Sequence, residues 1–364
     1  MMLSIVVPTY NEANNLLEFY KTISESLQGI EHEIIIVDDA SPDKTGELAE
    51  WLHNFYGNIK VIHRPRKMGT ASAIVDGLDF AFGDIICTIN ADLQHPPKHL
   101  TFMLELIDKY DVVVASRYTD GGRGEGESFW RLVTSKVAGG LARILLPKVK
   151  GIKDPMSGYF MFKRRVIENA HINPKSCSNS TSVGVKLLLE ILVKGSYDKT
   201  TEVPYVFKKR NEGKSKFSLK DCFIYLRQLL HLMRFSGETR RILKFCIVGA
   251  SGVGVNEGLL WLLTEKAGLP YMFSGVLSVE SAILSNFTWN ELWTFKDLKR
   301  TKQTNVLHRA LRFNLVRIAG LVANLTILYL LSGHFGIHYL ISNLIAIVAA
   351  TMWNYIASLI LVWK

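Results

Sequence analysis

Along the first 218 residues, short runs of β-branched and other apolar residues alternate with longer stretches whose apolar positions recur at helical spacing. The runs at 3–8, 33–37, 59–62, 84–90 and 111–116 have strand length and apolar centres. Between them the pattern predicts helices near 13–28, 44–55, 70–82 and 97–109. Such alternation implies βαβ units and a mostly parallel sheet, which binds ligands beyond the carboxyl ends of its strands. From 242 the pattern changes. Apolar stretches at 242–264, 271–293, 313–332 and 337–362 each reach the ~20 residues that span a hydrocarbon core. Asn256, Glu257, Glu280, Asn286, Asn290, Arg317 and Asn324 interrupt them, so a buried soluble bundle is the competing reading. Four such stretches in a row are hard to bury in so short a domain. The expected division is an α/β domain over 1–218, an amphipathic interface helix or linker over 219–240, and a four-span membrane domain over 241–364.

Composition agrees with a membrane-associated chain. Of 364 residues, 48% are hydrophobic, and 43 Lys and Arg against 33 Asp and Glu give a net charge of +10. Mean hydropathy is +0.15. Collagenous, disordered and disulfide-framework classes are excluded by 27 Gly, 10 Pro and 10% aromatics. Cys87, Cys177, Cys222 and Cys246 lie far apart with no CxxC pair, which argues against a zinc site and fits a reducing compartment. The connection 296–312 holds Lys296, Lys299, Arg300, Lys302, Arg309 and Arg312 against Asp297, whereas 265–270 and 333–338 hold little charge. The segment 208–244 is also basic. By the positive-inside rule both basic segments are expected to be cytoplasmic, with the chain multi-pass in the cell membrane. The opening apolar run is too short for a signal core, so the α/β domain is expected to stay in the cytoplasm. Within 219–237, Phe223, Ile224, Leu226, Leu229, Leu230 and Met233 mix with Lys220, Arg227 and Arg234, the pattern of a helix lying in a membrane surface. Nucleic-acid binding has little support, because the excess charge clusters at the expected membrane edges.

The segments after the strands carry the candidate chemistry. Tyr10 and Glu12 follow the first strand: a ring that can stack on a nucleobase and a carboxylate that can accept from ribose, or simply a turn and helix cap. Asp38 and Asp39 end the second strand, suited to base and ribose recognition or to capping the next helix. After the fourth strand, Asn90-Ala91-Asp92-Leu93-Gln94-His95-Pro96-Pro97 places a carboxylate and an amide oxygen two residues apart, which suits a hard divalent cation that also takes diphosphate oxygens. After the fifth come Ser116-Arg117-Tyr118 and a segment with four glycines in six residues, 121–126, expected to be a mobile lid. Arg131 and Ser135 fall on one face of a predicted helix and, with Arg117, could form an anion pocket.

Together VVPTYNEANNL, VDDASPDKT, the Lys67-Met68-Gly69-Thr70 turn and NADLQHPP resemble the inverting family-2 glycosyltransferases, and more narrowly the dolichol-phosphate mannose synthases and related polyprenyl-phosphate hexosyltransferases. The likeness covers about 1–218. It implies a GT-A type α/β domain in which Pro8, Tyr10, Glu12, Val37, Asp38, Asp39, Asn90, Ala91 and Asp92 hold the nucleotide sugar. Asp92 and Gln94 would hold Mg²⁺ or Mn²⁺. Arg117, Arg131 and Ser135 would hold the acceptor phosphate, with Asp92, Arg117 and Arg131 central to catalysis. Asp154-Pro155-Met156-Ser157-Gly158-Tyr159 resembles a segment that shapes the sugar pocket, and 203–216 resembles the closing motif, with Arg210 and Lys216 as candidates for the donor diphosphate. One departure matters: the pattern has aspartate where this chain has Asn90, so one charge is lost. The membrane part is similar to small GtrA-like proteins through 245–254 and 286–295.

A phosphomonoester has a second pKa of about 6 and arrives at neutral pH already ionised, so its transfer needs cations rather than a general base. The leading expectation is mannose transfer from GDP-mannose to dolichyl or another polyprenyl phosphate. UDP-glucose as donor is the near alternative. A lipid flippase with a regulatory nucleotide domain is the alternative of another class, separated by whether the α/β domain turns over donor. Membrane lipid is an expected partner, and a homo-oligomer remains open.

Overall fold

The computed structural model describes residues 1–125, 129–168, 170, 172, 186–208, 219–301 and 305–363. The chain divides into two compact units, Met1–Ser236 and Gly237–Lys364. In chain order the first holds β1 (Leu3–Thr9), α1 (Ala13–Ser26), β2 (His32–Asp38), α2 (Thr45–Phe55), β3 (Ile59–His63), α3 (Thr70–Leu78), β4 (Ile85–Thr88), α4 (His99–Ile107) and β5 (Val112–Ser116). There follow β6 (Arg123–Gly124), α5 (Phe129–Leu145), β7 (Phe160–Lys163), α6 (Leu187–Lys194), β8 (Thr200–Pro204), β9 (Val206–Phe207) and α7 (Leu219–Phe235).

Seven strands form one sheet in the order β3-β2-β1-β4-β7-β5-β8. It is parallel except for β7, which runs antiparallel between β4 and β5. β1 is buried at all seven positions and β2 at six of seven, as a parallel strand covered on both faces must be. Leu16, Phe19 and Ile23 of α1 and Leu100, Met103 and Ile107 of α4 pack into the same core. All five expected strands form. The fourth stops at Thr88, so Ile89 and Asn90 already belong to the turn beyond it, and Pro96-Pro97 delay α4 until His99. The reversed β7 decides the site's second wall. Its amino end, not its carboxyl end, lies beside the end of β4, with Phe160 opposite Thr88 and the Thr88 hydroxyl donating to the Gly158 carbonyl at 3.0 Å.

The expected interface helix is part of the first unit. α7 buries Ile224, Tyr225, Gln228, Leu229, Leu232 and Met233. Tyr225 donates to the Ala138 carbonyl of α5 at 2.6 Å, and Gln228 both accepts from the Lys186 amide at 2.9 Å and donates to its carbonyl at 3.0 Å. The opposite stripe, Phe223, Leu226 and Leu230, is exposed.

The second unit is four long helices, α8 (Glu238–Trp261), α9 (Tyr271–Trp289), α10 (Val306–Tyr329) and α11 (Tyr339–Ala357), each ending in a wider π turn. With those turns, Glu238–Lys266, Val306–His334 and Tyr339–Trp363 are long and apolar enough to cross a membrane. α9, the helix expected as the second span, falls outside that set, because Ser274, Ser278, Glu280, Ser281 and Asn286 dilute its apolar residues.

Candidate active site

Three loops at the carboxyl ends of β1, β2 and β4 meet at one edge of the sheet. Among the described residues, all four non-glycines with positive φ lie in them: Asn11, Ala40, Lys44 and Leu93, at 58°, 59°, 70° and 57°. Left-handed backbone at Ala40 and Leu93, which have no polar side chain to compensate, is the strain that binding loops store.

Pro8 lies beside Val37 in the β1–β2 register, both fully inside the sheet. Tyr10 is half-buried, with the Lys67 ammonium 3.4 Å from its ring centroid. The Glu12 amide donates to Thr45 Oγ1 at 2.9 Å, and its carboxylate accepts from Asn15 at 2.7 Å. The two aspartates are committed within the protein. Asp38 accepts from the Ser41 hydroxyl at 2.5 Å and the Ser41 amide at 3.0 Å. Asp39 accepts from Arg64 Nη1 at 2.6 Å and from the Met68 and Gly69 amides at 2.8 and 2.7 Å. Arg64, which sequence reasoning missed, also donates to Asp76 at 2.9 Å and Ser72 at 2.8 Å. Gly69 needs its φ of 92° to aim its amide at Asp39. Asp39 therefore folds the turn that carries Lys67 to Tyr10, and Asp38 holds the loop that leads into α2.

After β4, Ala91 and Asp92 are buried and Asn90 is half-buried. Asp92 Oδ1 accepts from the Gln94 amide at 3.2 Å. Gln94 Nε2 donates to the Lys208 carbonyl at 2.8 Å, while the Lys208 amide donates to the Gln94 carbonyl at 3.1 Å. That contact fixes the side-chain amide so that Oε1 is its remaining oxygen. Asp92 and Gln94 thus supply two hard oxygens, a set that fits Mg²⁺ or Mn²⁺ when substrate phosphate and water complete the shell. Among the described residues no cluster of three or more His, Cys, Asp or Glu could hold a metal by itself.

His95 anchors the same turn. It accepts the Asn90 amide on Nδ1 at 3.4 Å and packs against Tyr159, Tyr205 and Phe207 at 5.3, 5.7 and 5.5 Å between ring centres. Burial first, and then the Arg117 charge, push its pKa down to about 3, so the ring stays neutral. Gly158 borders both Asn90 and His95. The ring cluster thereby joins the β4 turn to the start of β7 and to the β8–β9 segment.

Beyond β5 lies a cleft of ≈ 470 Å³ whose lining, among the described residues, includes Arg117, Tyr118, Ser135, Lys136, Arg143 and Lys153 and no acidic residue. Arg117 meets buried Asp154 through Nε at 2.8 Å and Nη2 at 3.1 Å, and Nη2 also reaches Ser135 Oγ at 3.4 Å. Burial opposes the guanidinium charge, but the Asp154 carboxylate outweighs it and holds the pKa above the ordinary range. Tyr118 donates to Ser135 at 2.9 Å. Glu202 accepts the Lys153 and Asp154 amides at 2.6 and 2.9 Å, so the nearby acids are engaged by the scaffold. Lys136 and Arg143, seven residues apart on α5, share a face that sequence reasoning missed; Lys153 had no periodic signal. Arg131 lies on α5, but its side chain is outside the described residues, as are Arg210 and Lys216. The expected lid is partly pinned: the Arg123 amide donates to the Tyr205 carbonyl at 3.1 Å and the Glu125 amide to the Phe207 carbonyl at 2.8 Å, pairing β6 with β9.

Comparison with known proteins fits this arrangement. Residues 4–170 match the model of glycosyl transferase family 2, and 244–363 match that of the GtrA/DPMS transmembrane domain. A dolichol-phosphate mannosyltransferase from Pyrococcus furiosus is 42% identical over 364 residues, 100% of this chain and 99% of the relative. The chain belongs to the dolichol-phosphate mannosyltransferase family. A Mycosarcoma maydis member is 34% identical over 67% of this chain and 83% of its own, and one from Saccharomyces cerevisiae is 31% identical over 66% and 91%. Among solved structures, mannosyl-3-phosphoglycerate synthase from Rubrobacter xylanophilus overlaps with a TM-score of 0.47 at 18% identity, covering 65% of this chain and 76% of that one. By its two family matches and its full-length relative, the chain is a membrane-associated glycosyltransferase with a mostly parallel α/β domain.

Proposed function

We propose that the protein transfers mannose from GDP-mannose to dolichyl or another polyprenyl phosphate, with inversion, at the cytoplasmic face of the membrane. The carrying observation is the cleft beside β5: among the described residues, four cations line it and no acidic residue does. A lipid phosphate is largely a dianion at neutral pH and attacks without a base, so a site for it needs positive charge and no proton acceptor. The family names of the relatives point the same way.

In this reading Tyr10 stacks on the nucleobase, displacing Lys67 from its ring, and Glu12 accepts from the ribose. Asp39 positions the Lys67–Gly69 turn and Asp38 its neighbour. Asp92 and Gln94 hold Mg²⁺ or Mn²⁺, which supplies charge neutralisation for the departing diphosphate; Arg210 and Lys216 assist from 203–216. Asn90 and Ser157-Gly158-Tyr159 border the sugar. Arg117, held rigid by Asp154, acts with Ser135, Lys136, Arg143, Lys153 and Arg131 to bring the anionic acceptor against the sugar despite the donor's own charge. The exposed stripe of α7 lies in the membrane surface.

The test is transfer of radiolabel from GDP-mannose or UDP-glucose to dolichyl phosphate by the purified chain with Mg²⁺ or Mn²⁺. Lipid-linked mannose that disappears with EDTA and in Asp92→Asn is the expected result. Labelled glucose instead would reassign the donor, and turnover that survives both chelation and Asp92→Asn would overturn the metal assignment.

A further inference from the structure

The second unit repeats itself. A shift of 68 residues carries α8 onto α10 and α9 onto α11 end to end, and the turn Leu262–Lys266 onto Leu330–His334. It pairs identical residues at Arg241 and Arg309, Phe245 and Phe313, Gly252 and Gly320, and Asn286 and Asn354. The left-handed glycines between helices also match, Gly268 at 70° and Gly336 at 66°. So does the packing: the Asn286 amide fills the space that a Cβ at Gly252 would need, and Asn354 does the same at Gly320.

The ring contacts within and between the two hairpins come in pairs. Phe245–Tyr355 at 5.4 Å matches Phe313–Phe287 at 5.7 Å, and Phe245–Phe295 at 6.2 Å matches Phe313–Trp363 at 5.6 Å. Phe295–Tyr355 at 6.2 Å matches Trp363–Phe287 at 6.1 Å. The seventh, Phe295 stacked on Trp363 at 4.2 Å, joins two equivalent residues and must lie on the axis that relates the hairpins.

Charge breaks the symmetry. Arg309 donates to Glu291 Oε1 at 2.6 Å and Trp363 Nε1 to Glu291 Oε2 at 2.7 Å. The counterpart of Glu291 is Leu359, and Arg241, the counterpart of Arg309, pairs with Glu238 and Asp297. One carboxylate therefore ties both ends of the second hairpin, the start of α10 and the last turn, to the first.

We propose that residues 238–363 are a duplicated helical hairpin assembled as an internal pseudo-dimer. The ring-lined face of the first hairpin is an interaction surface for a hairpin of the same pattern, in this chain its own second one, and Glu291 is its clamp. This is independent of which sugar the first unit transfers. To test it, a protease site is placed after Gln303 in the full chain, and the folded protein is cut in detergent micelles. The C-terminal fragment is expected to stay bound, and to leave about tenfold faster in Glu291→Leu, with Glu291→Gln between them because it keeps an acceptor for Trp363. Immediate loss of the wild-type fragment, or equal retention in all three, would overturn the proposal. Uncut chains with cysteines at 245 and 355, or at 287 and 313, add a second measurement. Both pairs should cross-link equally; a disulfide in only one of them contradicts the symmetry.

Discussion

Asp154 has no accessible surface and one dominant partner, Arg117, which it grips at two guanidinium nitrogens and the backbone amide. Removing one member of such a buried pair costs about 3–5 kcal/mol. Asp154→Ala is therefore expected to lower the stability of the first unit by about that amount in denaturant titration, and to abolish acceptor use. Arg131→Ala, by contrast, should raise the KM for lipid phosphate at least about tenfold, the loss of one charge-assisted contact, while the nucleotide Kd measured by calorimetry stays unchanged. Equal losses in both would remove Arg131 from the acceptor site. His95 gives a pH signature. Its folded pKa of about 3 lies below the ordinary value of about 6.5, so between those values the unfolded chain binds a proton that the folded chain refuses. Stability should fall as pH drops through that window, by up to about 1.4 kcal/mol per pH unit. His95→Gln, which keeps an acceptor for the Asn90 amide, should flatten the acid limb of the melting temperature against pH.

At the scale of elements, α7 has two faces with separate duties. Gln228, Leu229 and Leu232 are buried within the first unit, whereas Phe223 and Leu230 are 70% and 54% exposed. Replacing Phe223 and Leu230 by Asp should leave the melting temperature within a few degrees of wild type, since surface changes cost little. Transfer in vesicles should drop, and full activity there would show that the stripe does not seat the enzyme on lipid. The strand–helix rhythm of the first 116 residues was legible because each element carries its own period. The reversed β7 was not: Phe160–Lys163 is short and apolar, and nothing local tells a parallel strand from an antiparallel one. The partners of Asp39 and Arg117 were hidden for the same reason, since Arg64 lies 25 residues from Asp39 and Asp154 lies 37 from Arg117.

For the whole molecule, the net charge of +10 sits on a chain with three strongly apolar helices and a basic connection between α9 and α10. Charges near an anionic leaflet contribute about 1 kcal/mol each and are screened by salt. Activity in nanodiscs should thus rise with the fraction of anionic lipid and fall between 50 and 500 mM salt. Independence from both would place the basic segments away from the surface. The duplicated hairpin belongs to this scale as well. Its period is written in the sequence, but only superimposed element ends, glycine turns and paired ring contacts turn scattered identities into a symmetry.

Fold class and the order of the strand-end loops follow from the sequence alone, because burial and backbone propensity act locally and leave a period or a turn residue behind. The three-dimensional fold decided which side chains are spoken for. Asp38 and Asp39 turn inward to hold loops, His95 is walled in by rings, Arg117 is fixed by Asp154, and Glu291 spans two hairpins. These are pairings between groups far apart in the chain, whose strength depends on distance and desolvation, and neither exists until the chain has closed on itself.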